Sequence, residues 1–229
     1  MTAISDTVTA KADKTVDPDA RDPARPGAEA RPVPPFLVFV RHGQTDWNAE
    51  GRMQGQKDIP LNDTGRAQAR RNGQALRAHL EALGMAADDL MFLASPLSRA
   101  VETMRILRGE LDRADDDFFC DERLREITFG AWEGYTIPEL AERSPDLTAR
   151  RKADKWGFVP PEGESYSMLA NRIDAWLATV TRPSVIVSHG GVMRVVQGRL
   201  KGIAEAEIPR LETPQDRFLV WDGADLAWV

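Results

Sequence analysis

The sequence has 229 residues, of which 42% are hydrophobic and 29% are charged, and its formal net charge is −6. That length suits one globular domain with a sizeable core. The acidic balance argues against a general nucleic-acid-binding protein, which needs a basic excess to neutralise phosphates. The single cysteine, Cys120, excludes an intramolecular disulfide and a cysteine-rich metal cluster. We expect it to be a small buried residue.

The chain divides into two segments of different composition. Residues 1–35 contain six prolines and few aliphatic side chains, so they cannot bury enough apolar surface to offset the entropy of ordering. We therefore expect a disordered tail over residues 1–35 and a folded domain over residues 36–229. No apolar run approaches the length of a membrane span, and the N-terminus lacks the apolar core of a secretory signal. These features predict a cytoplasmic protein with no membrane contact.

From residue 36 onwards, apolar runs alternate with helical patterns. The predicted strands are residues 36–40, 90–94, 118–120, 185–187 and 218–221. The predicted helices are residues 63–83, 98–111, 137–143, 147–155, 165–181 and 191–201. Strands that alternate with helices predict an α/β fold with a mostly parallel sheet covered on both faces. In such sheets, ligands bind at the carboxyl ends of the strands.

Basic side chains follow three of the predicted strands. Arg41 and His42 follow the first strand, Arg99 comes soon after the second, and His189 follows the strand at residues 185–187. Four cation-capable groups at one sheet edge repel each other unless an anion lies between them. A phosphoryl group fits because it is doubly negative near neutral pH and because guanidinium groups bind it bidentately.

Two histidines and one glutamate can supply the chemistry of phosphoryl transfer. A neutral His42 is a competent nucleophile, and a protonated His189 would stabilise charge on the phosphoryl oxygens. Glu126, in the loop after the third predicted strand, is the candidate general acid, although it could instead pair with Arg123 or Arg125. No His-x-His or His-Glu-x-x-His spacing occurs, so we expect no metal.

These blocks and several others resemble the histidine phosphatase superfamily, the phosphoglycerate mutase-like proteins, in the order found in that family. The matching segments are Arg41-His42-Gly43, Asn48, and residues 51–55, 60–69, 95–103, 126–134, 161–165 and 188–191. The resemblance covers about residues 36–221, so the first 35 residues lie outside it. It implies a three-layer α/β/α sandwich with a mostly parallel central sheet and an enzyme that needs neither metal nor cofactor.

The resemblance also implies a role for each matching residue. It makes His42 the phosphorylated nucleophile and Glu126 the proton donor. It makes Arg41, Arg99 and His189 the remainder of the phosphate pocket. Contacts to phosphate or substrate are implied for Asn48, Gln54, Gly55 and Gly190. Together these roles describe a metal-independent phosphomonoester hydrolase that acts through a phosphohistidine on a small phosphorylated metabolite.

Two other functions remain to be weighed against hydrolysis. Residues 129–136 resemble the phosphatase branch and lack the lysine that the mutases place there. Arg150 and Arg151 could replace the paired arginines of the mutases, but we favour a solvated helix face for residues 150–155. A non-catalytic phospholigand-binding relative would normally lack the nucleophile or the acid, and neither is missing. The sequence favours a phosphatase and leaves open a sugar phosphate, a nucleotide-derived monophosphate, a phosphoglycerate or a phosphoprotein as substrate.

Overall fold

The computed structural model describes residues 34–114 and 116–229. The tail expected at residues 1–35 lies outside the described residues, apart from Pro34 and Pro35. Within the described part of the chain, the strands are β1 (Leu37–Arg41), β2 (Met91–Ala94), β3 (Phe119–Cys120), β4 (Ser184–Ser188), β5 (Phe218–Trp221) and β6 (Leu226–Trp228). They form one sheet in the order β3-β2-β4-β1-β5-β6.

The sheet is mostly parallel, as predicted. Strands β3, β2, β4 and β1 run parallel to their neighbours, whereas β5 pairs antiparallel with β1 and β6 pairs antiparallel with β5. Because β1 and β4 lie in the middle of the sheet, their residues pack on both faces and are almost continuously apolar. Strand β6 was not predicted, since three residues with one buried side chain give no pattern to detect.

Helices cover both faces of the sheet. They are α1 (Asp46–Ala49), α2 (Asp63–Leu83), α3 (Ser98–Glu110), α4 (Ile137–Arg143), α5 (Pro145–Ala153), α6 (Tyr166–Leu177) and α7 (Gly190–Lys201). Side chains of α2 and α3 pack on one face with Val38 and Val40, and those of α6 and α7 pack on the other with Leu37 and Phe39. The alternation along β1 therefore builds the predicted three-layer sandwich.

The local sequence explains where the helices begin and end. The side chain of Asn62 accepts a hydrogen bond from the Gly65 N–H at the start of α2, and Gly84 ends that helix with φ 65°. Helix α1 was not predicted because it has only four residues, and Thr45 and Asn48 stabilise it through a reciprocal capping box. No helix in the described residues combines the length and apolar character needed to cross a membrane.

Two burial predictions are wrong. Cys120 is exposed, because β3 is a two-residue strand at the edge of the sheet. The sequence pattern predicts one apolar face of α2, made of Ala69, Gly73, Leu76, Leu80 and Leu83. Leu83 is half exposed, because that helix ends one residue later at Gly84. The rest of the predicted face is buried, with Leu76 and Leu80 in the core.

Helices α2 and α3 approach closely at Gly73. A Cβ atom at that position would lie 2.7 Å from Glu110 Cβ and 3.2 Å from Leu107 Cα. We predict that Gly73→Val lowers the free energy of unfolding by about 1–3 kcal/mol, because the added methyl groups would overpack this contact. Urea denaturation measures the change. Ala82→Val, at an exposed position of the same helix, is the matched control, and an equal loss in both variants would contradict the close approach.

Candidate active site

The register of β1 and β4 places the two strand-end histidines side by side. Arg41 pairs with Ser188, and the His42 N–H donates to the Ser188 carbonyl oxygen at 2.9 Å. The two imidazole rings of His42 and His189 follow directly, with their centroids 5.0 Å apart. On the other side of β4, the Ser95 N–H donates to the Val187 carbonyl at 3.0 Å, which brings the end of β2 to the same edge.

A pocket of ≈ 200 Å³ opens at this edge. Eight of the nine residues predicted for the site line it: Arg41, His42, Asn48, Gln54, Gly55, Arg99, Glu126 and Gly190. The ninth, His189, is fully buried and packs edge-on against the ring of His42. The structure therefore brings all the predicted site residues together at one place.

The imidazole of His42 is held in one tautomer. Its Nδ1 lies 2.7 Å from the Gly43 carbonyl oxygen, which can only accept, so Nδ1 carries the hydrogen and Nε2 carries the lone pair. Burial, followed by the positive charges of Arg99 and Arg41, holds the pKa of His42 well below its usual value. His42 is therefore a neutral imidazole with Nε2 available for attack.

The structure favours a neutral His189, where the sequence led us to expect a protonated one. Burial is the main cause that lowers its pKa well below the usual value, and Arg99 adds to the effect. Its Nε2 lies 2.7 Å from Ser95 Oγ, while its Nδ1 has no partner among the described residues. When Ser95 donates to Nε2, Nδ1 carries the ring hydrogen and is left to donate to a bound anion.

Two buried guanidinium groups are fixed by backbone carbonyls. Arg41 donates to the Thr213 carbonyl at 2.8 Å, and Arg99 donates to the carbonyls of Lys57 and Gly55, each at 2.7 Å. Burial lowers the pKa of Arg41 and of Arg99 to about 10, so both remain cationic at neutral pH. The Nε of Arg41 is buried with no partner in the described residues, which leaves a donor for an anion.

Gln54 connects Arg99 to the loop after β1. When its carbonyl oxygen faces Arg99, it accepts from Nε at 2.6 Å and from the terminal nitrogen Nη1 at 2.9 Å. Its amide nitrogen then donates to Thr45 Oγ1 at 2.5 Å, so both neighbours are satisfied. Gln54 thus orients the guanidinium of Arg99 within the pocket.

The carboxylate of Glu126 lies at the N-terminus of α7. The Gly191 N–H donates to its two oxygens at 3.0 and 3.1 Å, and the Ile127 N–H donates at 2.9 Å. Any side chain at position 191 would overlap Glu126. The alternative pairing of Glu126 with Arg123 or Arg125 does not occur, because those arginines pair with Asp121 and Glu122.

A glycine directly after His42 leads us to expect a backbone N–H that points at the ligand. Instead, the Gly43 N–H donates to Thr103 Oγ1 at 3.1 Å and so does not face the pocket. A Cβ atom at Gly43 would overlap the carbonyl oxygen of Gly65, at the first turn of α2. The glycine is needed so that two backbone segments can touch, and this contact fixes the direction in which the chain leaves His42.

The sequence interpretation missed three arginines and a glutamine. Arg194 and Arg151 line the pocket, and so does Arg52, which pairs with Glu50 and Glu139. Arg194 was detectable in the sequence, because it follows Gly190 by one helical turn. Gln215 donates to the His42 carbonyl at 3.0 Å and to Asn48 Oδ1 at 3.2 Å, from a loop with no motif to reveal it.

The pocket has a strong excess of positive charge. Five arginines line it against one carboxylate, that of Glu126. Among the described residues, Arg52 alone of the five arginines has a carboxylate within salt-bridge distance. No group of three or more His, Cys, Asp or Glu side chains in the described part is placed to hold a metal ion. The arrangement suits a tetrahedral dianion.

Thr103 fastens the Gly43 turn to α3. Its Oγ1 accepts from the Gly43 N–H and donates to the Arg99 carbonyl at 2.7 Å. We predict that Thr103→Val lowers the free energy of unfolding by about 1–3 kcal/mol, because it leaves the buried Gly43 N–H without an acceptor. Urea denaturation tests this. Thr103→Ser keeps the hydroxyl and loses only the methyl group, so it should retain most of the stability; an equal loss in both variants would show that the hydrogen bonds of the hydroxyl are not the cause.

The lowered pKa values of His42 and His189 predict a dependence of stability on pH. Below about pH 6.5 the two histidines bind protons in the unfolded chain but stay neutral in the folded chain. The free energy of unfolding therefore falls as the pH falls. We expect up to about 1.4 kcal/mol per pH unit from each histidine. Urea denaturation between pH 7 and pH 5, in buffer without phosphate or sulfate, should show a smaller slope for His189→Asn than for the wild type. Equal slopes would show that His189 titrates normally.

Comparison with known proteins agrees with this geometry. A glucosyl-3-phosphoglycerate phosphatase of Mycolicibacterium vanbaalenii is 33% identical, over 84% of this chain and 82% of its own length. A 2,3-bisphosphoglycerate-dependent phosphoglycerate mutase of Parvibaculum lavamentivorans is 29% identical, over 86% of this chain and 94% of its own length. The solved structure of a mycobacterial glucosyl-3-phosphoglycerate phosphatase superposes with a TM-score of 0.67 at 28% identity, covering 85% of this chain and 96% of that one.

The sequence profile of the histidine phosphatase superfamily (branch 1) matches residues 37–221. That range begins with the first residue of β1 and ends with the last residue of β5. It contains all nine predicted site residues and leaves out the tail, as the resemblance in the sequence implied. The chain belongs to the histidine phosphatase superfamily, branch 1.

Proposed function

We propose that this protein hydrolyses small phosphomonoesters through a phosphohistidine formed on His42. One observation carries the proposal: a neutral, buried imidazole with Nε2 available lines a pocket that holds five arginines and a single carboxylate. A pocket of ≈ 200 Å³ accommodates a phosphoryl group and leaves little room for a large polymer. The proposed substrate is therefore a phosphorylated metabolite, and no nucleic-acid partner is proposed.

In the first step His42 Nε2 attacks phosphorus and the bond from phosphorus to the ester oxygen breaks. The proposed proton donor to the departing alcohol is Glu126, which lines the same pocket. As the ring becomes a phosphoimidazolium, its positive charge strengthens the hydrogen bond from Nδ1 to the Gly43 carbonyl. That carbonyl therefore stabilises the product of attack more than the free imidazole.

In the second step Glu126, now a carboxylate, accepts a proton from water as the water oxygen attacks phosphorus. The bond between nitrogen and phosphorus breaks, inorganic phosphate leaves, and His42 returns to its neutral form. Arg41, Arg99 and the Nδ1 of His189 are the proposed donors to the phosphoryl oxygens, and Asn48 and Gly190, which line the same pocket, are proposed as further contacts. Since these groups are already fixed in the free protein, they need little rearrangement as charge develops.

Phosphoglycerate mutase activity is the second candidate, and one observation favours it. Arg151 is half buried and lines the pocket, where the sequence favoured a solvated position. A mutase is also among the relatives. We place hydrolysis first because the segment at residues 129–136 has the phosphatase pattern and because a phosphatase relative has the higher identity of the two, at 33%.

We also propose a cytoplasmic location. The exposed thiol of Cys120 would be open to intermolecular oxidation in an oxidising compartment, and the reducing cytoplasm keeps such thiols free.

Turnover of p-nitrophenyl phosphate and of an alkyl phosphate tests the proposal. We predict that His42→Gln abolishes both reactions, whereas His79→Gln, a histidine outside the pocket, retains them. We expect Glu126→Gln to slow the alkyl ester by about 10²–10⁴-fold, because an alkoxide needs a proton to leave. The loss in kcat/KM with p-nitrophenyl phosphate should be smaller, since kcat/KM reports on the first step and p-nitrophenolate leaves without a proton.

A base quench followed by mass spectrometry should locate phosphate on His42. Absence of turnover on every ester tried would overturn the proposal. A mutase would instead convert 3-phosphoglycerate, with the bisphosphorylated primer present, into the 2-isomer and release little inorganic phosphate.

A further inference from the structure

A second and larger cleft lies beside the phosphate pocket. It has a volume of ≈ 680 Å³ and is formed mainly by helices α4 and α5. Ile137 and Arg151 belong to the walls of both, so the two cavities are direct neighbours. The part of a substrate that projects beyond its phosphoryl group on this side would meet this cleft.

Part of the cleft wall is positively charged. Arg151, Lys152, Lys155 and Arg210 line it, and no acidic side chain among the described residues does. Arg210 pairs with Glu207 at 3.2 Å, where both side chains are exposed, and no carboxylate in the described residues lies within salt-bridge distance of the other three. Such a cluster is unfavourable unless an anion compensates it.

Lys155 is a partly buried cation of this cluster. Its Nζ donates to the Pro209 carbonyl at 2.8 Å, which holds the ammonium group near Arg210. Burial, followed by the positive charges of Arg151, Arg194 and Arg210, lowers the pKa of Lys155 to about 8. The cluster is therefore short of negative charge in the same way as the phosphate pocket.

The cleft wall also contains apolar residues. Ala141, Pro145 and Ala149 line it, with Ile137 shared with the phosphate pocket. Ile137 is 42% exposed, although it is a large aliphatic residue. A wall that presents both apolar and cationic side chains suits a ligand with a hydrophobic body and an anionic end.

We propose that the substrate is a phosphomonoester of a bulky, partly apolar alcohol that carries a second anionic group. This inference rests on the proposed function and specifies its substrate class. The phosphoryl group occupies the smaller pocket, the body of the alcohol lies along α4 and α5, and the second anion meets Lys152, Lys155 and Arg210. A volume of several hundred Å³ is typical of a site for a drug-sized ligand and exceeds what a bare glycerate needs.

Three esters on one scaffold test the inference. They are 2-naphthyl phosphates bearing at position 6 a carboxylate, a phosphonate, or the neutral methyl ester of the carboxylate. We expect wild-type kcat/KM for at least one charged ester to exceed that of the methyl ester by on the order of tenfold to hundredfold. The preference should shrink as ionic strength rises. Comparing the carboxylate with the phosphonate tells which anion the cleft accepts.

Variants locate the second anion in the cleft. The double variant Lys152→Gln, Arg210→Gln should lower the ratio of charged to neutral kcat/KM by roughly three- to tenfold, as expected for partly exposed charges. Arg150→Gln is the matched control, because Arg150 is an exposed arginine on the same helix outside both pockets. Its ratio should equal that of the wild type. Because the concentration of folded enzyme cancels in the ratio of the two kcat/KM values, a general loss of folded protein does not affect the comparison.

Each possible outcome decides the inference. A wild-type ratio near one, a double variant with an unchanged ratio, or faster turnover of 3-phosphoglycerate than of the charged naphthyl esters would overturn it. In each of these cases His42-dependent hydrolysis of the neutral ester would leave the proposed function standing. If no ester is hydrolysed at all, both the function and the substrate class fail.

Discussion

The parallel pairing of β1 with β4 is the constraint that the site depends on. Both strands are buried in the middle of the sheet, so their register is fixed by apolar packing on two faces. A slip of one residue would turn every side chain to the opposite face, and the His42 and His189 rings would no longer meet at 5.0 Å. The positions of the His42 and His189 side chains are thus determined by packing of the core strands rather than by the loops in which these residues lie.

Burial of several cations at the end of that pair explains the rest of the site. Burial is the main cause that makes a proton on either histidine unfavourable, and the neighbouring arginines add to it; the same arginines attract the dianion. One arrangement therefore keeps the nucleophile neutral and binds the group that it attacks. Glu126, the only carboxylate that the described residues place in the pocket wall, is held by the N–H of Ile127 and by the N–H of Gly191 at the start of α7, so it does not cancel the arginines through direct ion pairs.

Most of the fold and the main site residues could be predicted from the sequence, because the patterns that reveal them are local. Buried strands, helix periodicity and the residues directly after each strand end are all visible within short windows, which is why α2, α4 and β5 have the predicted bounds. Two contacts could not be predicted from the sequence, since each joins segments that are apart in the chain: that of Gly43 with Gly65, and that of Gln215 with the His42 carbonyl. Arg151 was misjudged because a charged helix pattern does not show which neighbour shields it.

The loop that carries Thr213 and Gln215 has a consequence for how the protein matures. The Thr213 carbonyl accepts a hydrogen bond from Arg41, and Gln215 donates one to the His42 carbonyl. The loop directly precedes β5, which pairs antiparallel with β1. All the other residues that shape the phosphate pocket lie earlier in the chain. During synthesis, the nucleophile, the acid and the arginines would leave the ribosome before the segment that hydrogen-bonds to Arg41 and His42. The site would therefore be complete only after that segment has been made.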